Sequence, residues 1–567
     1  MALLAIAPMT GCSGSVEPVA TESRPNNASR DGGVRDAGRK RDARAEEEEE
    51  TPSDDEATDD EIVEEPVLPP ASTRDAGPTR DAQIDAGKPD TGAPATPDAG
   101  PPPAAGCGAD GPFAKGLKLR ELAAYQTVKV PLYKDGAWVT TSTVPVVAGK
   151  KTLLRVFVDT MTGYARHNVR ATLTLKGAAG ETTLQNERSI AASSTDADEA
   201  STFAFEIEPA KLAADTQIAV ALEEIDCAAA GGQASDARLP ATGTRELGAD
   251  AIGKLKVVLL PISIGGLLPT VDDAEIAKIR AALLAYFPVG TVDVSVRSSA
   301  ATGPSALTGA DSNGWSNVLN TVMRERASDA AASDVYYFGL VKPASTFAAF
   351  CARGCILGIA PQTTRVSPSA QAGLGAYFQD AQSIETIVHE LGHAHGRGHA
   401  PCAKGGQIQG VDGSFPERAG GIMEWGWDSR TSKLISPTTH KDVMGYCSPN
   451  WISPYTYGAL ATRSLAVNKL AFVKGAESAT PWRNVLLYAD GSARWGGAVE
   501  TRMPGGEIES ATVLDASGAT IANIEVTRLE LSHTDDIILY LPSPGADWAS
   551  VVLRDRTLAL RSIQPAL

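Results

Sequence analysis

The chain has 567 residues, of which 43% are hydrophobic, and its formal net charge is −18 at pH 7. This length is enough for roughly two to four domains with buried cores. The negative charge argues against binding to nucleic acid or to an anionic membrane surface, because both are themselves negatively charged.

The N-terminal segment, MALLAIAPMTGCSGS, is a short apolar run that ends in small residues and Cys12. Such a run is too short to cross a bilayer as a helix and is typical of a signal peptide. The stretch MTGC resembles a bacterial lipobox, which implies a signal peptide over residues 1–12 and a lipid on Cys12. We therefore predict an exported protein, either secreted or held at the cell surface or outer membrane through Cys12. An apolar tip without a targeting role is the alternative.

Residues 13–106 have low sequence complexity. A basic stretch runs into an acidic one, RDAGRKRDARAEEEEETPSDDEATDDE, and Pro-rich units containing DAG follow. A segment with so little apolar surface cannot offset the entropy of ordering its chain, so we predict a disordered stalk. Solvated carboxylates explain the acidic tract better than a cation site does.

Residues 107–249 are predicted to form a β-sandwich-like domain. Segments such as TLLRVFVDT, RATLTLKG and QIAVALEEI alternate apolar with polar residues, and turns rich in Gly, Asp and Asn separate them. This alternation is typical of strands with one buried face.

The pattern changes near residue 250, where strands begin to alternate with helices. KLKVVLLPISI indicates a buried strand, and DDAEIAKIRAALLAYF indicates a helix capped by Asp272 or Asp273. The strand TVDVSVRS, a helix around Trp315 to Met323 and the strand DVYYFGLV follow. We expect residues 250–467 to form an α/β domain with helices packed on a sheet.

Four of the seven histidines lie in SIETIVHELGHAHGRGH, which ends at His399. Ile384, Ile387, Val388 and Leu391 lie at helical spacing, which predicts an amphipathic helix capped by Asp380 or Ser383. His389 and His393 are then one turn apart on the opposite face and can bind one metal ion together.

The residues around these two histidines complete a candidate zinc site. Glu390 lies beside the first ligand, where it can take a proton from water as a general base. Gly396 lets the chain leave the helix, so that His399 can return as a third ligand. Three neutral nitrogens with one open position are typical of a catalytic zinc.

Residues 468–567 return to alternating segments such as NVLLYADGSARWGG and DDIILYLP, which predict a small C-terminal β domain, again sandwich-like. Nothing in this region selects a ligand.

Six cysteines remain if Cys12 carries lipid, and an even number in an exported chain indicates disulfides. Their spacing favours the pairs Cys107–Cys227, Cys351–Cys355 and Cys402–Cys447. A second zinc site on these thiols is the alternative, but the spacing lacks a paired C-x-x-C pattern.

The string HELGHAHGRGH follows the pattern H-E-x-x-H-x-x-G-x-x-H and, together with KDVMGYC, resembles the signature of the metzincin zinc metallopeptidases. The resemblance covers roughly residues 250–467. It implies a mixed sheet with an active-site helix, one catalytic Zn²⁺, and Met444 in a turn beneath the metal. It also implies that Tyr446 lies near the zinc and helps to stabilise the transition state. In this family an edge strand holds an extended substrate, and CILGIAP at 355–361 is the candidate.

The remaining histidines and two tryptophans receive weaker interpretations. His395 is expected to be exposed or to support a ligand, and His440 to be structural. His167 and His533 lie in the flanking β regions and need no function. The segment GIMEWGWDS contains Trp425 and Trp427, which could line a substrate pocket, although core packing explains them at least as well.

Asp412, Glu417 and Asp428 are the candidates for a Ca²⁺ site. Ordinary solvation of loop carboxylates is the alternative, and the sequence favours it.

These observations predict an exported, monomeric zinc endopeptidase that hydrolyses proteins or glycoproteins, with Glu390 as general base. The alternative is a non-catalytic surface adhesin or binding protein that uses the metzincin-like domain as a scaffold. The intact Glu390 argues against this alternative, since a scaffold has no need of a general base.

Overall fold

A computed structural model of the chain describes residues 113–225, 236–352, 354–403, 408–470, 480–501, 503–554 and 556–565. All of these residues belong to one compact unit. The predicted signal peptide (1–12), the stalk (13–106), Cys107 and Cys227 lie outside the described residues. The Cys107–Cys227 disulfide therefore stays a prediction. Across the described ranges, no helix is both long and apolar enough to cross a membrane.

The first region consists of strands without an α-helix among its described residues. Its strands are β1 (Leu117–Tyr125), β2 (Lys129–Lys134), β3 (Ala137–Trp138), β4 (Val146–Val147), β5 (Thr152–Thr160), β6 (Asn168–Gly177), β7 (Gly180–Ser189), β8 (Phe203–Ile207), β9 (Gln217–Glu224), β10 (Arg238–Leu239), β11 (Arg245–Glu246) and β12 (Ala249–Asp250).

Two antiparallel sheets organise this region. One has the strand order β3-β2-β1-β5-β8, and the other has the order β10-β9-β6-β7 with β11 beside β9. The short strands β4 and β12 form a separate parallel pair. Alternate residues of β6, including Val169, Ala171 and Leu173, are buried, as expected for strands with one face toward a core.

The central region alternates strands with helices before it becomes irregular. Its elements are β13 (Lys254–Ser263), α1 (Asp273–Tyr286), β14 (Thr291–Val296), β15 (Ala301–Thr302), α2 (Ser312–Ser328), β16 (Val335–Val341), α3 (Phe347–Phe350), β17 (Gly358–Ile359), β18 (Pro361–Gln362), β19 (Ala372–Ala376), α4 (Ala381–Ala394), β20 (Gly426–Asp428), β21 (Lys433–Ile435), β22 (Lys441–Asp442), β23 (Asn450–Trp451) and α5 (Pro454–Leu470).

The central sheet has the strand order β14-β13-β16-β19-β17, with β15 beside the end of β13. Strands β14, β13, β16 and β19 are parallel, whereas the edge strand β17 is antiparallel to β19. The residues of β16, VYYFGLV, are almost all buried, which is typical of a parallel strand covered on both faces.

Small residues let helix α4 approach this sheet closely. Strand β19 has the sequence AGLGA and is fully buried. A Cβ at Gly375 would lie 3.1 Å from Cγ2 of Thr386, a residue of α4. The close contact places α4 beside the edge strand β17, and this placement brings the histidines of α4 to the edge of the sheet.

The strands of the C-terminal region form one hydrogen-bonded antiparallel sheet. Its strands are β24 (Thr480–Leu487), β25 (Ala493–Thr501), β26 (Glu507–Leu514), β27 (Thr520–Leu531), β28 (Ile537–Pro542), β29 (Ser550–Leu553) and β30 (Arg556–Ala559). The strand order is β25-β24-β28-β27-β26-β29-β30. Strand β18 of the central region pairs with β27, so this sheet is joined directly to the segment that follows β17.

Buried side chains connect the three regions across residues 250 and 468, the predicted domain boundaries. One core combines Leu122 and Leu173 of the first region with Leu283 and Leu391 of the central region. A second core combines residues of both the central and the C-terminal sheets, including Trp315, Leu374, Leu529 and Ile538. The C-terminal sheet is thereby fixed against the region that carries the histidines.

Candidate metal centre

Helix α4 carries the first two histidines. It begins after Asp380, whose carboxylate accepts a hydrogen bond from the backbone N–H of Ser383 at 2.8 Å. This bond satisfies a free donor of the first turn. Ile387, Val388 and Leu391 are buried in the core that the first and central regions share. His389 and His393 therefore lie together on the face toward the cleft.

The end of α4 turns the chain back toward these histidines. The N–H of Gly396 bonds to the carbonyl of His393 at 2.7 Å, and the N–H of Arg397 bonds to that of Gly392 at 3.1 Å. This pair of bonds is a Schellman motif, which needs a residue with positive φ at its centre. Gly396 has a φ of +82°. The turn allows His399 to lie opposite the helix.

A turn around Met444 supports the site from below. Met444 is buried, and a Cβ at Gly392 of α4 would collide with its sulfur. Its backbone carbonyl accepts a hydrogen bond from the N–H of Ala400 at 3.0 Å, next to His399. The buried carboxylate of Asp442 accepts bonds from the N–H groups of Met444 and Ser453, both at 2.9 Å. Sequence analysis did not single out Asp442, although it lies two residues before the methionine.

Both predicted disulfides near the histidines are confirmed. Cys402–Cys447 links the loop after His399 to the segment after Met444, and Cys351–Cys355 closes a short loop before β17. The alternative of a second zinc site on these four thiols is therefore wrong. The N–H of Tyr446 also bonds to the carbonyl of Cys402 at 2.7 Å, so the two loops are joined by a covalent link and a hydrogen bond.

The three predicted ligands converge through their Nε2 atoms. Nε2 of His393 lies 3.0 Å from Nε2 of His389 and 3.0 Å from Nε2 of His399. Each Nδ1 faces a backbone carbonyl, at 2.7 Å for His389 and His393 and at 2.5 Å for His399. A carbonyl can only accept, so each Nδ1 carries the hydrogen and each Nε2 offers a lone pair.

Three lone pairs that face one another repel unless a cation lies between them. Zinc–nitrogen bonds of about 2.0–2.1 Å at tetrahedral angles separate two nitrogens by roughly 3.3 Å, which is close to the distances found here. Imidazole nitrogens are also ordinary zinc ligands. The donor set thus fits a zinc ion, held by His389, His393 and His399.

Burial keeps these histidines neutral, which is the form that binds a metal. It lowers the pKa of His389 and of His399 to about 3, and the pKa of His393 well below its usual value. The neighbouring histidines add to the reduction for each ring. In the metal-free protein, a positive charge on any one of these rings would lie close to the other two rings.

Glu390 lies beside the cluster and is only 1% exposed. A Cβ at Gly358 of the edge strand β17 would lie 2.5 Å from Cγ of Glu390, so the carboxylate rests against the strand. Burial raises the pKa of Glu390 to about 7. A carboxylate with a pKa near neutrality is suited to accept a proton and release it again.

Tyr446 reaches the cluster from the segment after Met444. Its hydroxyl lies 3.3 Å from Nε2 of His399. The residue is 42% exposed, so a molecule in the cleft can reach it. Burial of the hydroxyl and the charge of Glu390 both raise the pKa of Tyr446, which keeps the phenol protonated and able to donate.

His533 also reaches the cluster, a position that the sequence did not indicate. It lies in the turn between β27 and β28. Its Nε2 is 2.9 Å from Oε1 of Glu390, and its Nδ1 is 2.6 Å from the hydroxyl of Tyr446. Among the described residues, His389, His393, His399 and His533 are the one group of three or more His, Cys, Asp or Glu side chains that could hold a metal ion. His533 lies far from the histidine motif along the chain, so the sequence did not indicate this contact.

A cavity of about 640 Å³ opens in front of these residues. Its lining includes Gly358 of the edge strand, Glu385 and Glu390 of α4, and Tyr446 and His533. The candidate edge strand, CILGIAP, thus lies along the cleft through β17, as the sequence resemblance implied.

Part of the chain is similar to a known peptidase family. Residues 320–451 match the Peptidase M66 family model. This is a family of zinc metallopeptidases, and the match indicates a metallopeptidase. The M66-like segment is under a quarter of the 567-residue chain. No curated protein matches the chain.

The M66-like segment contains His389, Glu390, His393, His399 and Tyr446. It ends at Trp451, the last residue of β23. The C-terminal sheet and His533 therefore lie outside the part of the chain that resembles this family.

The other histidines that the sequence singled out lie away from the cluster. His395 is buried rather than exposed, because its ring stacks on Tyr336 of β16 with centroids 4.5 Å apart. His440 lies near Thr439 and Ser436, and this local contact agrees with a structural role. His167 lies 3.0 Å from a carboxylate oxygen of Glu224 in the first region.

The two tryptophans do not line the cleft. Trp427 is buried and packs in a small core with Tyr125 and Phe157 of the first region. Trp425 packs against the same core. The alternative of core packing therefore describes them better than a substrate pocket does.

The three carboxylates considered for Ca²⁺ have partners within the protein. Asp412 pairs with Arg397 at 2.8 Å, and Asp428 pairs with Arg430 at 2.9 Å. Glu417 accepts hydrogen bonds from the N–H groups of Ala419 and Gly421. These contacts account for the carboxylates without an ion.

Proposed function

We propose that the chain is a zinc-dependent endopeptidase of the metzincin type, which cuts proteins or glycoproteins. The observation that carries the proposal is the convergence of three Nε2 lone pairs next to a buried carboxylate with a raised pKa. The family match supports the same class of reaction.

Glu390 is the proposed general base. A zinc ion bound by the three histidines would act as a Lewis acid, which lowers the pKa of water from about 16 toward about 7 and polarises a carbonyl. Glu390 would accept a proton from the attacking water at a carboxylate oxygen and then deliver it to the amine that leaves. Its burial against Gly358 fixes the carboxylate toward the cleft.

Tyr446 is the proposed hydrogen-bond donor to the substrate oxyanion. Its hydroxyl lies beside His399 and remains protonated. Replacing Tyr446 by Phe should lower kcat by about 10²-fold, the usual effect of losing one such donor. Zinc content should not change. A Phe variant with the kcat of the wild type would contradict this role.

Strand β17 is the proposed docking edge for substrate. It is the last strand of the central sheet, and it borders the 640 Å³ cavity. An extended peptide can add to such an edge through backbone hydrogen bonds, which suits cleavage within a polypeptide.

Export is part of the same proposal, with a lipid on Cys12 that holds the protein at a cell surface. The apolar N-terminal run and the MTGC stretch support it. Metabolic labelling with a fatty acid should mark the wild-type protein and leave Cys12→Ser unlabelled. Equal labelling of both proteins, or of neither, would contradict lipidation at Cys12.

The experiment that tests the peptidase is cleavage of a mixed protein substrate by the purified chain, with and without a chelator. Glu390→Gln should retain zinc and lose about 10²–10⁴-fold in turnover. The matched control is Glu385→Gln, since Glu385 lies on the same helix and lines the same cavity. The control should keep most of its activity.

A zinc-loaded Glu390→Gln variant that cuts as fast as the wild type would rule out Glu390 as the base. Zinc binding without any cleavage would favour the alternative of a surface binding protein.

A further inference from the structure

The fourth histidine of the cluster, His533, belongs to the C-terminal region, whereas the other three belong to the central region. Its ring lies as close to the other three rings as they lie to one another. The ring centroids of His389, His393 and His399 are 4.5–5.4 Å apart. The ring centroid of His533 lies 4.7–5.2 Å from each of them. All four rings therefore surround one point at similar distances.

One ring nitrogen of His533 lies within 4.8 Å of a ring nitrogen of each of the other three histidines, and Nε2 is the candidate. Nε2 is buried and has no aligned hydrogen bond, although Oε1 of Glu390 is 2.9 Å away. Nδ1 lies 2.6 Å from the Tyr446 hydroxyl, to which it can donate. His533 would then have the same arrangement as the other three histidines, with a hydrogen on Nδ1 and a lone pair on Nε2.

The backbone holds His533 in this position. His533 has a φ of +60°, a conformation that residues other than glycine adopt infrequently and that is often found at functional sites. Before it, Ser532 donates its N–H to the carbonyl of Ala360 and accepts the N–H of Ala360 at its hydroxyl, both at 2.9 Å. After it, the carboxylate of Asp536 bonds to Ser316 of α2 at 2.6 Å.

The segment before His533 also occupies part of the sheet edge where a peptide would bind. Leu531 and Glu530 pair antiparallel with Pro361 and Gln362, which directly follow β17. This segment thus runs along the edge of the sheet, and the imidazole of His533 at its end lies between Glu390 and Tyr446. These are the two residues that we assign to the base and to the oxyanion contact.

We propose that His533 is a fourth protein ligand of the metal, so that the C-terminal sheet keeps the centre closed in its resting state. Four nitrogens fill a tetrahedral site and leave no position for water or substrate. Opening is a ligand exchange in which Nε2 of His533 leaves and a water enters, without any change in redox state. A second cavity, of about 220 Å³, borders His533 and can receive the ring. This inference rests on the proposed function of the same site.

X-ray absorption at the zinc edge on the zinc-loaded full chain tests this proposal. The wild type should show four nitrogen ligands, and His533→Gly should show three nitrogens and one oxygen. Glycine accepts the positive φ and offers no ligand. His533→Asn serves as a second variant, because Asn also tolerates this φ. His440→Asn is the matched control, since His440 lies outside the cluster, and it should keep four nitrogens.

Turnover is the second readout. His533→Gly should cut a protein substrate about tenfold faster than the wild type or more, because the gain is the inverse of the fraction of open centres. Three nitrogens and one oxygen in the wild type would overturn the proposal and leave the peptidase assignment intact. A slower His533→Gly variant would also overturn it, and would make His533 a residue that assists the reaction. Failure of the wild type to bind zinc would instead contradict the proposed function.

Discussion

At the scale of single residues, the hydrogen bond made by Nδ1 of each ligand histidine leaves Nε2 of the same ring with the lone pair that can bind a metal. Backbone carbonyls of Val443, Arg397 and Gln409 hold the Nδ1 atoms of the three ligands. Each carbonyl fixes both the tautomer and the direction of the ring before any metal arrives. The site is therefore arranged for a cation by the backbone as well as by the side chains.

This arrangement has a consequence for the stability of the metal-free protein. Burial lowers the pKa of His389, His395 and His399 to about 3 and of His533 to about 4, and it lowers that of His393 well below 6.5. The unfolded chain binds protons at these groups below about pH 6.5, whereas the folded chain does not. Their contribution to stability is therefore present at neutral pH and is lost as the pH falls.

Glu390 acts in the opposite direction, because its pKa is raised from 4.5 to about 7 in the folded chain. The buried carboxyl of Asp442 also has a raised pKa, so two carboxyls act against five histidines, and the net effect follows the histidines. Thermal unfolding of chelator-treated protein should show a lower Tm at pH 5 than at pH 6.5. An equal or higher Tm at pH 5 would mean that the histidines are not buried as neutral rings.

At the scale of elements, the last turn of α4 sets the distance between the second and third ligands. The Schellman motif at Gly396 reverses the chain, and the Cys402–Cys447 disulfide joins the returning loop to the segment after Met444. The ligands of one ion thus come from a helix and a loop that are tied together. Changes in this turn should act on zinc affinity more than on the rest of the fold.

Gly396→Ala is the direct test of this element. An alanine Cβ would lie 2.7 Å from the carbonyl oxygen of Thr363 and would collide with Arg463, in addition to the strain of a positive φ. We expect a loss of about 1–3 kcal/mol in stability and a lower affinity for zinc. Competition with a chromophoric chelator measures the affinity.

Gly491→Ala is the matched control for Gly396→Ala. Gly491 has a φ of +89°, but nothing lies within 4 Å of the Cβ it would carry. This variant should lose only the stability that the strained backbone costs, and its affinity for zinc should be unchanged. Equal zinc affinities for the Gly396 variant and the wild type would contradict the role assigned to the turn.

At the scale of the whole molecule, the candidate centre combines residues of the central region with His533 of the C-terminal region, and only the residues of the central region could be predicted from the sequence. The spacing of His389, His393, Gly396 and His399 determines a helix and a turn locally, so these residues could be found in the sequence. His533 is brought in by the pairing of β18 with β27. Such a contact between distant segments leaves no local pattern.

Two further differences have physical reasons of the same kind. Strand β1 was not predicted, because its buried face includes Glu121, whose charge is balanced by Lys129 at 2.9 Å. His395 was expected to be exposed or to support a ligand, yet the close packing of α4 on the sheet places it against Tyr336. In both cases a tertiary partner determines the environment of a polar residue, and a single sequence does not show that partner.

The most direct test of the central claim is the zinc stoichiometry of the purified chain, measured by native mass spectrometry. The account predicts one zinc per wild-type chain and none in His393→Ala. His395→Ala is the matched control, since His395 is buried on the same segment without facing the cluster, and it should keep its zinc. A wild-type chain without zinc, or a His393→Ala chain that retains it, would contradict the claim that these histidines form the metal centre.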